Sequence, residues 1–122
     1  MRFLPSFLTF FFLALSTSAQ ANSSYGSIAV VPGQGLYFHG IAIERSASEA
    51  RQAALELCGK KRCKVVQNYG PGQCMHVVTG NRQIFWNDSV FSQREKTHVL
   101  RECQKIEGGC KVIKSICMAD KR

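Results

Sequence analysis

The chain has 122 residues, 45% of them hydrophobic, with 16 Lys and Arg against 8 Asp and Glu. That length allows one small domain, and a formal charge of +8 points to acidic partners: an acidic protein face, an anionic envelope surface or nucleic acid. No window after the first fifteen residues is apolar for the roughly 20 residues that a membrane-spanning helix needs.

The chain opens Met1, Arg2, then runs apolar from Phe3 to Leu15 and on through a small, polar stretch to Ala21. One positive charge, a short apolar run and Ala19-x-Ala21 are the three parts of a secretory signal peptide, with cleavage expected before Asn22. Residues 22–122 then form a single domain, periplasmic or secreted, with no membrane anchor after cleavage. Losing Arg2 leaves 15 cationic against 8 anionic side chains, a formal +7.

From Tyr25 the pattern is strand-like in "YGSIAVV" and again in "LYFHGIAIE", with turn chemistry at Pro32, Gly33 and Gly35 between them. Ser46 and Glu49 make an S-x-x-E capping box, and Ala50, Ala53, Ala54, Leu57 and Cys58 share one helical face that Gly59 ends. After the basic loop "GKKRCK", "CKVVQNY" reads as a strand stopped by Gly70, Pro71 and Gly72. The unit is β-β-α-β.

The second half repeats that order. "CMHVV" and "QIFWNDSVF" are strands around a turn at Gly80 and Asn81. Ser92 and Glu95 form another capping box. Val99, Leu100, Cys103 and Ile106 supply a helical face, and "CKVIKSIC" is the last strand. The fold class is therefore α+β, two β-β-α-β repeats (about 25–70 and 73–118) forming antiparallel sheet with two helices packed on it.

An exported chain meets an oxidising compartment, and six cysteines there read as a disulfide framework with 15 possible connectivities. Repeat symmetry selects Cys58 with Cys63 and Cys103 with Cys110, because each pair joins a helix end to the start of the next strand. Cys74 and Cys117 are left for each other, with Tyr25 and Tyr69 in their places in the first unit, where an aromatic contact is expected. The C-x4-C and C-x6-C spacings, without histidines at ligand distance, argue against a zinc site, so no metal and no cofactor is expected.

At this point the segments "YGSIAVV", "SEARQAALELC", "CKVVQNY", "QCMHVV" and "CKVIKSIC" resemble the bacterial exported domain-of-unknown-function family 4189, over Tyr25 to Cys117. The second half departs from the family's Ala-rich helix at "REKTHVLREC" and from its small residues at "MHVV". The resemblance implies fold and compartment and no general chemistry.

Catalytic patterns are poor. His39 and His76 fall in strands and His98 in a helix, and there is no G-x-S-x-G, phosphate loop or H-E-x-x-H. Glu44 and Asp88, near the ends of equivalent strands, are the one candidate acid pair; glycoside cleavage would need them about 5 to 10 Å apart. The better lead is a binding surface. Trp86 with Tyr37 and Phe38 would form an apolar anchor ringed by Arg82 and Arg94, with Lys60, Lys61 and Arg62 in the basic loop. The reading favours a non-enzymatic binding protein with an acidic protein partner, such as an inhibitor or immunity protein against an envelope-targeting enzyme. An anionic envelope surface is the second partner class. Nucleic acid is not expected, since the cations are not interleaved with aromatics. The alternative is a small secreted hydrolase or toxin acting on envelope polymers.

Overall fold

The computed structural model describes residues 23–88 and 94–121; the expected signal peptide and the helix cap at Ser92 lie outside them. Two strands, a helix and a strand follow one another twice. These are β1 (Tyr25–Val30), β2 (His39–Glu44), α1 (Ala47–Cys58), β3 (Lys64–Tyr69), β4 (Cys74–Thr79), β5 (Ile84–Trp86), α2 (Arg94–Ile106) and β6 (Lys111–Cys117). Each repeat folds into its own antiparallel sheet, β2-β1-β3 and β5-β4-β6, so the expected antiparallel sheet is realised as two. The duplication extends to irregularities: the ladder slips between Ile28 and Ala29 in the first sheet and between Val77 and Val78 in the second.

Side-chain alternation explains how the sheets are covered. Ile28 and Val30 point one way from β1 and join Met75, Val77, Tyr69, Ile84 and Met118 in a core drawn from both repeats. Ala29 and Val31 point the other way, onto Ala54 and Cys58 of α1. In the second repeat Val78 meets Val99 and Cys103 of α2. The layers are thus helix, sheet, sheet, helix. Gly26, near the start of β1, lies against Met75 near the start of β4, and Gly35, beyond β1, lies against Ile84, beyond β4. The two central strands therefore run the same way, and the connections that follow them meet at one end.

Stacking also has a side. Tyr69 of β3 donates its hydroxyl proton to the Asn87 carbonyl just after β5, and Gln67 Nε2 donates to the Asp88 carbonyl at 3.0 Å. With β1 over β4 and β3 over β5, strand order leaves β2 over β6. Asn87 also completes the ladder where β5 stops. Its Oδ1 accepts from the His76 N–H at 2.8 Å and its Nδ2 donates to the Cys74 carbonyl at 2.9 Å, replacing the backbone of a longer strand.

Ser46 caps α1, its hydroxyl accepting from the Glu49 N–H at 3.1 Å, and Gly59 closes the other end at φ 75°, where a side chain would be strained. The helix settles very close to β2. A Cβ at Gly40 would reach the Cys58 nitrogen at 2.6 Å, and the narrow stripe that results holds Ala50, Ala54 and Cys58. Leu57, expected on that face, is instead exposed at its margin. On α2, Val99 and Cys103 are buried, whereas Ile106, expected beside them, is exposed in the last turn. The aromatic contact expected between Tyr25 and Tyr69 gives way to a different arrangement: Tyr69 faces Gly26, Ile116 occupies the equivalent place, and the Tyr69 ring crosses to the other sheet.

The three disulfides are Cys58–Cys63, Cys74–Cys117 and Cys103–Cys110, with no cysteine left free. The first and third are repeat equivalents with Cα atoms 6.2 and 6.1 Å apart. The second joins directly opposed residues of β4 and β6. In the chain-entropy account a 44-residue loop contributes about 4 kcal/mol and a six-residue loop about 2 kcal/mol. Replacing Cys74 and Cys117 together by Ala is therefore expected to lower the unfolding free energy about twice as much as replacing Cys58 and Cys63. Urea unfolding of the two variants measures the difference.

Candidate functional site

The connections that meet at one end of the sandwich are the 31–38 segment, the 59–63 loop and the 80–83 turn. The first is a compact turn: the Gln34 N–H donates to Val31 at 2.8 Å, the Phe38 N–H to Gln34 at 3.0 Å, and His39 Nδ1 to the Gly35 carbonyl at 2.7 Å. That folding sets consecutive aromatics apart. Tyr37 stands 73% exposed, and Phe38 turns inward against the α1 side of the sheet.

The left-handed Gly59 throws the chain straight from α1 into the basic loop, which Cys58–Cys63 closes. Inside it the Lys60 N–H donates to Cys63 Sγ at 3.3 Å and the Cys63 N–H to the Lys60 carbonyl at 3.1 Å. Lys60 Nζ sits 4.8 Å from the centre of the Phe38 ring, within cation–π range. Arg62 donates to Gln34 Oε1 at 3.4 Å, tying loop to turn. Lys61, Arg62 and Lys64 border a hollow of about 350 Å³ against Pro32. Three cations are thereby held on a short covalent ring, with Lys64 just beyond it and an aromatic pair beside them.

Across the 32–36 turn lies a second hollow of about 320 Å³, where Arg82 and Trp86 meet Val30, Ile84, Gly33 and Gly35. The turn carrying Arg82 is pinned by Glu107, whose Oε1 accepts from the Arg82 and Gln83 N–H groups at 2.7 and 3.2 Å. Trp86 packs on the inter-sheet core, and Phe38 on the helix side. The expected single anchor of Tyr37, Phe38 and Trp86 is therefore divided: the turn separates the Tyr37, Phe38, Lys60, Lys61 and Arg62 flank from the Arg82 and Trp86 flank. Arg94 begins α2, one residue before Glu95, which shares a cavity with Trp86.

The candidate acids are not juxtaposed. Glu44 ends β2, whereas Asp88 follows β5 and bonds through its carbonyl to β3, on the other side of the sandwich. Asp88 lines a cavity of about 300 Å³ with Glu95, His98, Glu102 and the Phe85 and Trp86 rings. Among the described residues no group of His, Cys, Asp and Glu is arranged to hold a metal. His39 is engaged by Gly35, His76 shares a 2.9 Å hydrogen bond with Ser115, and His98 is exposed on α2.

Sequence reasoning missed Asn87, Tyr69, Glu107 and Gln34. For Asn87 a signal existed, since Asn followed by Asp is a poor continuation of a strand. Burial, reinforced by the nearby Asp88 charge, pushes the Tyr69 phenol well above its ordinary 10.0.

A family model described as Domain of unknown function (DUF4189) matches residues 25–117, and the chain belongs to that family. No curated protein and no solved structure matches it.

A raised phenol pKa means that above about pH 10 the unfolded chain gives up a proton that folded Tyr69 keeps. Its contribution is complete below that pH and lost as pH rises further, at about 1.4 kcal/mol per unit. Comparing urea midpoints at pH 9 and 11, the wild type is expected to fall more steeply than Tyr69→Phe; equal slopes would contradict the burial of this hydroxyl.

Proposed function

We propose that the protein is a non-enzymatic binding protein, periplasmic or secreted, that engages an acidic protein partner through the end of the sandwich bearing Lys60, Lys61 and Arg62. An inhibitor or immunity protein against an envelope-targeting enzyme is the kind of protein this describes, and another secreted interaction factor would use the same chemistry. Full pairing of six cysteines fits a chain folded outside the cytoplasm. No helix among the described residues is long and apolar enough to cross a membrane. The N-terminal signal pattern supports the same compartment.

One observation carries the reading. The cations occupy a loop closed by a disulfide and tied to Gln34, beside an exposed Tyr37 and a Phe38 ring under Lys60. A backbone fixed in this way loses little freedom on binding, and aromatic and cationic residues on a rigid rim suit recognition of an acidic face. Charge of this density also speeds encounter with an opposite charge, by tenfold or more at low salt.

Capture from an extracytoplasmic extract tests the proposal. The intact protein is expected to retain a stoichiometric acidic protein in low salt and to lose it in high salt. The triple variant Lys60→Glu, Lys61→Glu, Arg62→Glu is expected to lose it at either salt. Equal capture by the variant, or retention of anionic vesicles in place of any protein, would overturn it.

A further inference from the structure

The two repeats differ where they should be most alike. Each ends in an edge strand, and the ladders place Val66 and Ile113, and Tyr69 and Ile116, at equivalent positions. In the first repeat that strand is covered: Tyr69 is buried and bonded to Asn87, and Gln67 reaches Asp88. In the second, every residue of β6 is exposed, and Val112, Ile113 and Ile116 stand 37 to 39% open. The asymmetry has a local cause. The chain leaving β5 turns across to β3 at Asn87, whereas β2 stays paired with β1 through Glu44.

The strand is last in the order β5-β4-β6, so one row of its backbone groups points outward. Among the described residues, no backbone hydrogen bond outside the β4 ladder engages residues 111–116. Lysines at 111 and 114 guard such an edge against indiscriminate pairing, but three half-open aliphatic side chains on it are more than a guard requires. We infer that β6 is a docking edge that accepts an extended, acidic segment of a partner protein as a fourth strand of the β5-β4-β6 sheet.

In this mode main-chain hydrogen bonds supply the affinity and alternate side chains the selectivity. Carboxylates of the added strand would lie near Lys111 and Lys114, which share one face of β6, and its aliphatic residues on the other face would cover Val112. A second copy suits the edge poorly. The antiparallel register that sets Val112 against Ile116 puts Lys114 opposite its own twin, in two chains that each carry +8. The inference rests on the proposed function only for the partner's being an acidic protein; the openness of the strand is independent of the basic loop.

The test uses the intact, isotope-labelled protein and a capped octapeptide of alternating Glu and Val, followed by amide chemical shifts. Saturable shifts are expected along residues 111–117 and not along 64–69, with slowed exchange of the outward amides of β6. An alternating Glu and Gly peptide should bind more weakly. Lys111→Glu with Lys114→Glu is expected to lower affinity about tenfold, and Ile113→Asp, on an exposed position, should do so without altering the amide spectrum of β1. The triple variant in the basic loop should bind the peptide nearly as the wild type does, so loss of partner capture there leaves this result standing. Shifts confined to residues 60–64, no shifts at all, or concentration-dependent dimerisation through β6 in sedimentation without peptide would overturn it.

Discussion

Ile28 and Val30 of the first repeat meet Met75 and Val77 of the second across the space between the sheets, and the rest of the architecture depends on that contact. A three-stranded sheet has two faces. In each repeat one helix covers one face, leaving an apolar face that only the other repeat covers. Neither half has a second core of its own, so the duplication is a requirement of burial. Stacking β1 on β4 in the same direction also decides what lies at the ends. It brings the 31–38 segment against the 80–83 turn and so assembles the cationic end from two distant stretches of chain.

Within this frame the repeats have diverged by a few residues. Asn87 ends β5 early, satisfies two β4 backbone groups and receives Tyr69, which closes one side of the sandwich. The polar cross-strand pair beneath each helix is kept in position and changed in kind: Ser27 with Asn68 at 2.8 Å in one repeat, His76 with Ser115 at 2.9 Å in the other. Where the first repeat has Tyr25 and Gly70 at the ladder's end, the second has the Cys74–Cys117 bridge. The side that this bridge staples is also the one whose edge strand stays open. Covalent closure there takes over part of the stabilisation that Tyr69 provides by burial opposite.

Much of this was legible in the residues because the information was local or repeated. Capping boxes, glycine stops and alternation locate the elements, and two copies of the helix-to-strand cysteine pair settle the connectivity that one copy would leave open. What could not be read depended on distances between elements. Leu57 and Ile106 fit the helical period, yet α1 sits on Gly40 so closely that only an alanine-wide stripe is covered, and the α2 stripe ends a turn before Ile106. Tyr37, Phe38 and Trp86 looked like one patch because their strands are equivalent. A turn that folds back through Gln34 and His39 puts them on separate flanks. The acid pair failed through topology: strand order sends β2 and β5 to opposite sides of the sandwich.

The claim that the halves complete one shared core is tested most directly by watching both halves unfold in the same urea titration. Trp86, the single tryptophan, reports the second repeat by its fluorescence, and backbone amides of Ile28 and Ala29 report the first by hydrogen exchange. The account predicts one midpoint and one slope for both probes. Loss of protection in β1 while the Trp86 signal remains native would contradict it.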